Sequence, residues 1–185
     1  MDWRRNIPNY LTYFRIAVIP MLVAVFYMHG AAGNILAAFL FLLACISDYF
    51  DGVLARKWNV QSQIGRFLDP IADKLLIAAV LVVLVDDGLL QGIHVIPAIA
   101  ILCREILVSG LREHLAELQV IVPVTWLAKW KTAAQMVALF LLLLDPVTPS
   151  WLGGSWLGLL LIWVSALITV YTGWVYLTAA RQHFN

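Results

Sequence analysis

Six long apolar stretches, separated by short polar turns, constrain this chain more than any other feature of its sequence. An α-helix needs about 20 mainly apolar residues to cross a bilayer. Hydrophobic residues make up 63% of the 185 residues and charged residues only 12%. One soluble core could not bury this much apolar surface, since soluble domains carry about 25% charged residues. The sequence therefore predicts an all-α integral membrane protein with six transmembrane helices, over about Tyr10–Met28, Asn34–Leu54, Leu68–Val85, Val95–Leu111, Trp126–Leu144 and Ser155–Ala180.

Lysine and arginine residues fall on one side of this six-helix arrangement. That side receives Arg4, Arg5, Arg56, Lys57, Arg66, Arg112, Lys129 and Arg181. The turns on the other side contain histidine and aspartate but no lysine or arginine. Because cations accumulate in cytoplasmic loops, both termini are predicted to lie in the cytosol. Five crossings would break this asymmetry. No repeat or linker interrupts the chain, so residues 1–185 are predicted to form one transmembrane domain.

Four aspartates stand at the adjoining ends of the second and third predicted helices: Asp48, Asp51, Asp69 and Asp73. Spacings of three and four residues place each pair on one helix face. Two facing carboxylate pairs repel each other unless a positive charge lies between them. They could be surface charges at the headgroup boundary, neutralised by Arg56, Arg66 and Lys74. The matched pairs favour a divalent-metal site, because carboxylates are hard oxygen ligands suited to Mg²⁺, Mn²⁺ or Ca²⁺.

The four aspartates belong to a longer pattern. It reads Asp48-x-x-Asp51-Gly52-x-x-Ala55-Arg56, then eight residues, then Gly65-x-x-x-Asp69-x-x-x-Asp73. This pattern resembles the complete signature of the CDP-alcohol phosphotransferases, and all eight fixed positions match. Six helices with cytosolic termini also agree with that family, so the resemblance covers essentially the whole chain. It implies a CDP-alcohol phosphotransferase fold in the bacterial cytoplasmic (inner) membrane, with the active site facing the cytosol.

The resemblance also implies how the aspartates act. Together they would hold Mg²⁺ or Mn²⁺, as two ions that bind and polarise the diphosphate of the donor, CDP-diacylglycerol. The family gives the last aspartate of the motif the role of general base, which is Asp73 in this chain. The spacing alone does not distinguish it, because any of the four carboxylates could accept a proton.

A binding site for CDP-diacylglycerol follows from the same resemblance. Gly52 and Gly65 lack a Cβ and would let the nucleotide approach the backbone, although glycines also serve helix packing in membranes. Arg56 would bind donor phosphate, or anchor its helix at the cytosolic surface. The predicted donor-binding residues are Asn9, Thr12, Arg15, Asp48, Asp51, Gly52, Ala55, Arg56, Gly65 and Asp69.

The segment Ile7–Arg15 resembles the opening of one branch of this family. Asn9, Thr12 and Arg15 follow one another at three-residue steps and share a helix face. That polar face is predicted to point into the bundle, toward the donor. For Asn9 the alternative is an ordinary helix cap beside Pro8.

Cations on the fourth and fifth predicted helices indicate the acceptor. Arg104 and Arg112 are eight residues apart, close to two helical turns, and with Lys129 and Lys131 could form a pocket for a phosphate-bearing acceptor. Alternatively, Arg104 pairs with Glu105 or Glu113 and the lysines anchor the membrane interface. The segments REILVSGLRE and KWKTAAQ resemble the phosphatidylglycerophosphate synthases, a branch of the family. That likeness implies sn-glycerol-3-phosphate as acceptor, and phosphatidylglycerophosphate and CMP as products.

Other functions stay open at this stage. Within the family the acceptor could be phosphatidylglycerol, as in a cardiolipin synthase, or inositol phosphate or serine. A divalent-cation transporter is a more distant alternative, because transporter sites belong near the bilayer midplane whereas these carboxylates cluster at one end of their helices. The resemblance implies a homodimer among membrane lipids, and no nucleic-acid partner is expected.

Overall fold

The computed structural model describes residues 3–58, 63–117, 126–149 and 154–181, excepting the side chains of 3–8, 55–57, 63–64, 66, 116–117, 126–129 and 179–180. Within these ranges the chain forms six long α-helices, two short 3₁₀ helices (Gly92–His94 and Asp145–Val147) and no β-strand. The α-helices are α1 (Trp3–Phe26), α2 (Ala31–Trp58), α3 (Gln63–Asp86), α4 (Val95–Glu117), α5 (Trp126–Leu144) and α6 (Gly154–Arg181). The predicted all-α class is confirmed.

Within the described ranges, five helices contain a segment long and apolar enough to cross a membrane: Asn9–Phe26, Ala31–Leu54, Gly92–Leu115, Trp130–Val147 and Gly154–Thr178. The chain is therefore a multi-pass membrane protein. The first half of α3 differs from these segments because it carries Asp69, Asp73 and Lys74. Charged side chains in a span are rare unless they serve a function. A sixth crossing by α3 stays a prediction.

The first of two compact units comprises residues 1–84 and 143–152. Its first two helices pack along each other as an antiparallel pair. The turn between them contains His29 and Gly30, whose φ angles are 50° and 97°. Glycine adopts such left-handed backbone without a steric penalty, so this dipeptide reverses the chain where the sequence predicted the first helix to end.

The third helix of this unit runs parallel to α1. Thr12 and Arg15 of α1 contact Asp69 and Asp73 of α3, in the same order along both helices. Because α2 runs the opposite way, the C-terminal part of α2 lies beside the N-terminal parts of α1 and α3. This arrangement brings all four motif aspartates to one end of the unit.

The second compact unit comprises residues 85–142 and 153–185. Its helices α4 and α6 pack against each other and run parallel. The Trp163 indole, in the first half of α6, donates a hydrogen bond at 3.1 Å to Nδ1 of His94, which directly precedes α4. Further along, Arg104 Nη2 donates to Thr172 Oγ1, also at 3.1 Å.

The remaining helix of the second unit, α5, runs antiparallel to α6. A Cβ added at Gly158 of α6 would lie 2.9 Å from Leu142 Cγ, near the C-terminal end of α5. Ser165, two turns later in α6, donates a hydrogen bond to the Lys131 carbonyl oxygen near the start of α5, at 3.3 Å. The alternating directions of α4, α5 and α6 are those of successive membrane-crossing helices.

Candidate active site

Arg15 of α1 stands at the centre of the carboxylate cluster. Its Nη2 lies 3.0 Å from Asp48 Oδ1 and 3.3 Å from Asp51 Oδ2, and its Nη1 lies 2.7 Å from Asp73 Oδ1. A guanidinium can serve carboxylates from two helices because its N–H donors form a rigid planar fork. One side chain therefore ties α2 and α3 to α1.

Thr12, one turn before Arg15, engages the remaining aspartate. Its hydroxyl oxygen lies 2.6 Å from Asp69 Oδ1 and 3.2 Å from Asp51 Oδ2. A hydroxyl carries a single proton, so the shorter contact is the hydrogen bond. Ser47 Oγ donates to the Leu11 carbonyl oxygen at 3.4 Å and fastens α2 to the same part of α1.

Exposure divides the aspartates into a buried side and an open side. The Asp51 side chain is 5% exposed, whereas those of Asp48 and Asp73 are 35% and 44% exposed. Arg15 and Thr12 are buried beneath them. The open side leaves Asp73 accessible from outside the unit, and the contacts on the buried side orient the carboxylates.

The donor set suits a hard divalent cation. Four carboxylates supply only oxygen ligands, and Arg15 contributes one positive charge among them, so the charge of the cluster favours further cations. In the described part of the chain, no three histidine, cysteine or acidic side chains converge on one metal position. The guanidinium lies among the carboxylates instead. The residue types suit a metal site. To bind a metal ion, carboxylate oxygens that do not contact Arg15 or Thr12 would have to converge on one position.

The other predicted donor-binding residues lie close to Thr12, Arg15 or the four aspartates in the sequence. Asn9 is half-buried one turn before Thr12, and Gly65 is buried near the start of α3. Gly52 follows Asp51 directly on α2. Ala55 and Arg56 continue the same helix, but their side chains lie outside the described residues. The donor-binding role of the whole set stays a prediction.

A second polar cluster occurs in the second unit. Glu105 Oε1 accepts a hydrogen bond from Lys131 Nζ and lies 3.3 Å from Arg104 Nη1. The Lys131 side chain is 5% exposed, so it does not sit as an anchor at the surface. The predicted alternative of an Arg104–Glu105 pair is thus present in the structure. One glutamate holds both cations at a single place.

Arg104 is held on its far side by α6. Thr172 accepts its Nη2 hydrogen bond, and a Cβ added at Gly173 would lie 3.1 Å from Arg104 Cγ. The Arg104 side chain therefore packs against α6 at Gly173, where that helix has no side chain. Its Nε is buried and has no hydrogen-bond partner among the described residues.

The other two cations predicted for this pocket differ in position. Arg112 is exposed, whereas Arg104 is half-buried. Eight residues make about 2.2 helical turns, so the two side chains point about 80° apart around α4. Lys129 lies on α5 with its side chain outside the described residues. The four-cation pocket as a whole stays a prediction.

The sequence interpretation missed Thr172 and Gly173, and it gave Glu105 only as a possible partner of Arg104 and not of Lys131. The acid directly follows Arg104, and a buried lysine on another helix gives it a second partner. Nothing in the sequence places α6 beside Arg104, because this contact joins residues that are 68 positions apart. Among 28 mainly apolar residues of α6, the dipeptide Thr172-Gly173 carried no recognisable pattern.

Residues 5–171 match the CDP-alcohol phosphatidyltransferase family, and the chain belongs to this family. Its members use divalent metal ions. The CDP-diacylglycerol–glycerol-3-phosphate 3-phosphatidyltransferase of Rickettsia bellii (strain RML369-C) is 44% identical over 179 residues, which cover 97% of each chain. The protein of that name from Salmonella choleraesuis (strain SC-B67) is 44% identical over 178 residues, or 95% of each chain. The one from Rickettsia typhi (strain ATCC VR-144 / Wilmington) is 43% identical, over 97% of this chain and 99% of its own.

Proposed function

We propose that this chain transfers the phosphatidyl group of CDP-diacylglycerol to sn-glycerol-3-phosphate, giving phosphatidylglycerophosphate and CMP. The observation that carries this proposal is the meeting of all four motif carboxylates around Thr12 and Arg15. The near full-length likeness to the named bacterial transferases supports the choice of acceptor. The family match covers residues of both compact units, so we propose that residues 1–185 form one transmembrane domain.

The donor binds at the carboxylate end of the first unit. Asp48, Asp51, Asp69 and Asp73 would hold Mg²⁺ or Mn²⁺, as two ions, which supply Lewis-acid stabilisation of charge on the donor's diphosphate. Gly52 and Gly65 give the nucleotide access to the backbone, and Arg56 donates hydrogen bonds to phosphate. The diacylglycerol chains stay in the bilayer, which the apolar helices share.

Asp73 acts as the general base. Its carboxylate is the most exposed of the three that contact Arg15, so an acceptor hydroxyl can reach it. Asp73 takes the proton from the primary hydroxyl of the acceptor. The hydroxyl oxygen then forms a bond to the phosphorus that carries diacylglycerol, the bond from that phosphorus to the CMP oxygen breaks, and CMP leaves with the electron pair.

Arg104 and Lys131 bind the phosphate of the acceptor. Glu105 engages Lys131 through one of its three N–H donors. Glu105 and Thr172 together engage Arg104 through two of its five, so both cations keep donors for a phosphate. Arg112 and Lys129 belong to the same proposed pocket. A serine acceptor would leave these cations without a purpose, whereas inositol phosphate would fit them nearly as well.

Replacing Arg104 with glutamine is expected to raise the KM for glycerol-3-phosphate roughly 10- to 100-fold, because a charge-assisted hydrogen bond is lost. The KM for CDP-diacylglycerol should change little. Arg112→Gln is expected to have a smaller effect, since Arg112 is exposed. Initial rates over a range of acceptor concentrations give both values. An unchanged KM for glycerol-3-phosphate in Arg104→Gln would show that Arg104 does not bind the acceptor. Equal increases of this KM in both variants would show that Arg112 contributes to acceptor binding as much as Arg104.

The proposed topology has six crossings, with both termini and the carboxylate end of the first unit in the cytosol. The antiparallel order of α1 and α2 and the alternation of α4, α5 and α6 support successive crossings within each unit. The distribution of lysine and arginine supports the orientation. The proposed location is the bacterial cytoplasmic membrane, and the proposed assembly is a homodimer.

A green fluorescent protein fused after Asn185 is expected to fluoresce, and alkaline phosphatase fused at the same place is expected to be inactive. The reverse pattern is expected for fusions within the turn 86–88. These reporters work on opposite sides of the membrane, so they determine the orientation directly. Active phosphatase at the C-terminus would refute a cytosolic C-terminus. If a green fluorescent protein fused before Met1 still fluoresced, the number of crossings would be odd and α3 would be removed from the set of spanning helices.

The experiment that tests the function is CMP release by the purified protein in detergent. CDP-diacylglycerol, Mg²⁺ and one acceptor at a time are supplied: glycerol-3-phosphate, inositol phosphate, serine or phosphatidylglycerol. Turnover with glycerol-3-phosphate alone supports the proposal. Turnover with another acceptor would support the family reaction but would refute glycerol-3-phosphate as the acceptor. If no CMP is released with any of the four, a different activity, such as cation transport, would be favoured.

A further inference from the structure

Arg15 makes its contacts with the carboxylates that the donor's metal ions would need. We propose that Arg15 is the resident counter-cation of the cluster: a positioning residue that holds Asp48, Asp51 and Asp73 together while no metal is bound. This inference rests on the proposed metal site. It gives Arg15 a different role from the donor contact that its helix position predicted.

Burial argues against a direct contact between Arg15 and the donor. The Arg15 side chain is 0% exposed, and both of its terminal nitrogens are already bonded to carboxylates. A diphosphate could reach these nitrogens only by displacing aspartates. The donor instead meets the open side of the cluster, where Asp48 and Asp73 are exposed.

Electrostatics explains why a cation is needed at this place. Carboxylates from two helices approach one another at the end of the unit, and their mutual repulsion would push α2 and α3 apart. A buried ion cluster is stable only when the charges are paired and hydrogen-bonded. Arg15 supplies that pairing for Asp48, Asp51 and Asp73, while Thr12 supplies a neutral donor for Asp69.

The geometry also leaves a way for metal ions to bind without expelling Arg15. The shortest contacts from α1 use one oxygen of each carboxylate: Asp48 Oδ1, Asp51 Oδ2, Asp69 Oδ1 and Asp73 Oδ1. A carboxylate has about four lone-pair positions on two oxygens. Arg15 and Thr12 can therefore orient each group through one oxygen while the other faces a cation.

This role has a thermodynamic signature. Without Arg15, the metal-free state carries unpaired carboxylates, whereas bound cations would neutralise the same groups. Loss of Arg15 should therefore destabilise the metal-free protein more than the metal-bound protein. By linkage, divalent ions should raise the melting temperature of an Arg15 variant more than that of the unaltered chain.

The test is thermal unfolding of Arg15→Gln in detergent, with excess chelator or with excess Mg²⁺. In chelator the Tm is expected to fall roughly 6–15 °C below that of the unaltered chain. Mg²⁺ is expected to remove about half of this deficit or more. Arg104→Gln is the matched control, because it also breaks a partly buried arginine–carboxylate pair but lies away from the motif along the chain. Its Tm deficit should be the same in chelator and in Mg²⁺.

Each result decides the question. An equal deficit for Arg15→Gln in chelator and in Mg²⁺ would make Arg15 an ordinary structural residue and overturn the inference. An unchanged Tm with a raised KM for CDP-diacylglycerol would restore the direct donor contact. If Arg15→Gln cannot be purified, Arg15→Lys, which keeps the charge without the planar fork, is measured in the same way: a deficit that Mg²⁺ reduces supports the inference, and one that Mg²⁺ leaves unchanged opposes it.

The unaltered chain distinguishes this inference from the proposed metal site. If Mg²⁺ and Mn²⁺ leave its Tm unchanged, the metal site itself fails. If they raise its Tm and raise that of Arg15→Gln by no more, the metal site stands and only the role of Arg15 is refuted.

Discussion

Replacing Asp73 with asparagine is expected to lower kcat by roughly 10²- to 10⁴-fold, the usual contribution of a general base. An amide has nearly the shape of a carboxylate but cannot take the proton of the acceptor hydroxyl. It also weakens one contact of the metal site and the 2.7 Å contact from Arg15 Nη1. CMP release in excess Mg²⁺ measures the loss, and donor binding in the absence of acceptor shows whether the site is still assembled.

The matched control for this substitution is Asp87→Asn, which makes the same change of side chain in the exposed turn after α3. Its turnover should equal that of the unaltered chain. The Asp73→Asn loss should persist at saturating Mg²⁺ and donor, since the missing group acts in the chemical step. If added Mg²⁺ restores turnover, Asp73 is a metal ligand only and another carboxylate is the base.

Removal of divalent metal is expected to abolish CMP release, with a loss of at least about 10³-fold, because several kcal/mol of charge stabilisation would be withdrawn. Mg²⁺ or Mn²⁺ added beyond the chelator should restore the rate. Asp51→Asn should raise the metal concentration needed for half-maximal activity, since Asp51 is the most buried carboxylate among those bound to Arg15. The measurement is the initial rate against free metal concentration.

Chelator already saturated with Mg²⁺ is the control, because it leaves the concentration of free metal unchanged and should leave the rate unchanged. Turnover that continues undiminished in excess free chelator would contradict the metal mechanism. In that case cationic side chains of the motif region, such as Arg56, would have to stabilise the diphosphate instead.

The sequence alone determined the helices and the chemistry of the motif. Apolar stretches of nearly bilayer length predicted all six α-helices, and α5 has the predicted bounds, Trp126–Leu144. This succeeded because helix formation in an apolar environment follows from local composition: every backbone group must find its partner within its own segment. The spacing of Asp48, Asp51, Asp69 and Asp73 likewise fixed the family, since each position of the motif is a local property.

Only the tertiary structure decided which side chains meet. Thr12 and Arg15 were placed correctly on one polar face of α1, but the sequence did not show that this face binds the aspartates themselves. Likewise Arg104 and Lys131 had been expected in one pocket, but the sequence did not show that Glu105 joins them. Such contacts depend on how helices rotate and approach one another, which is set by packing between residues far apart in the chain and leaves no local pattern in the sequence.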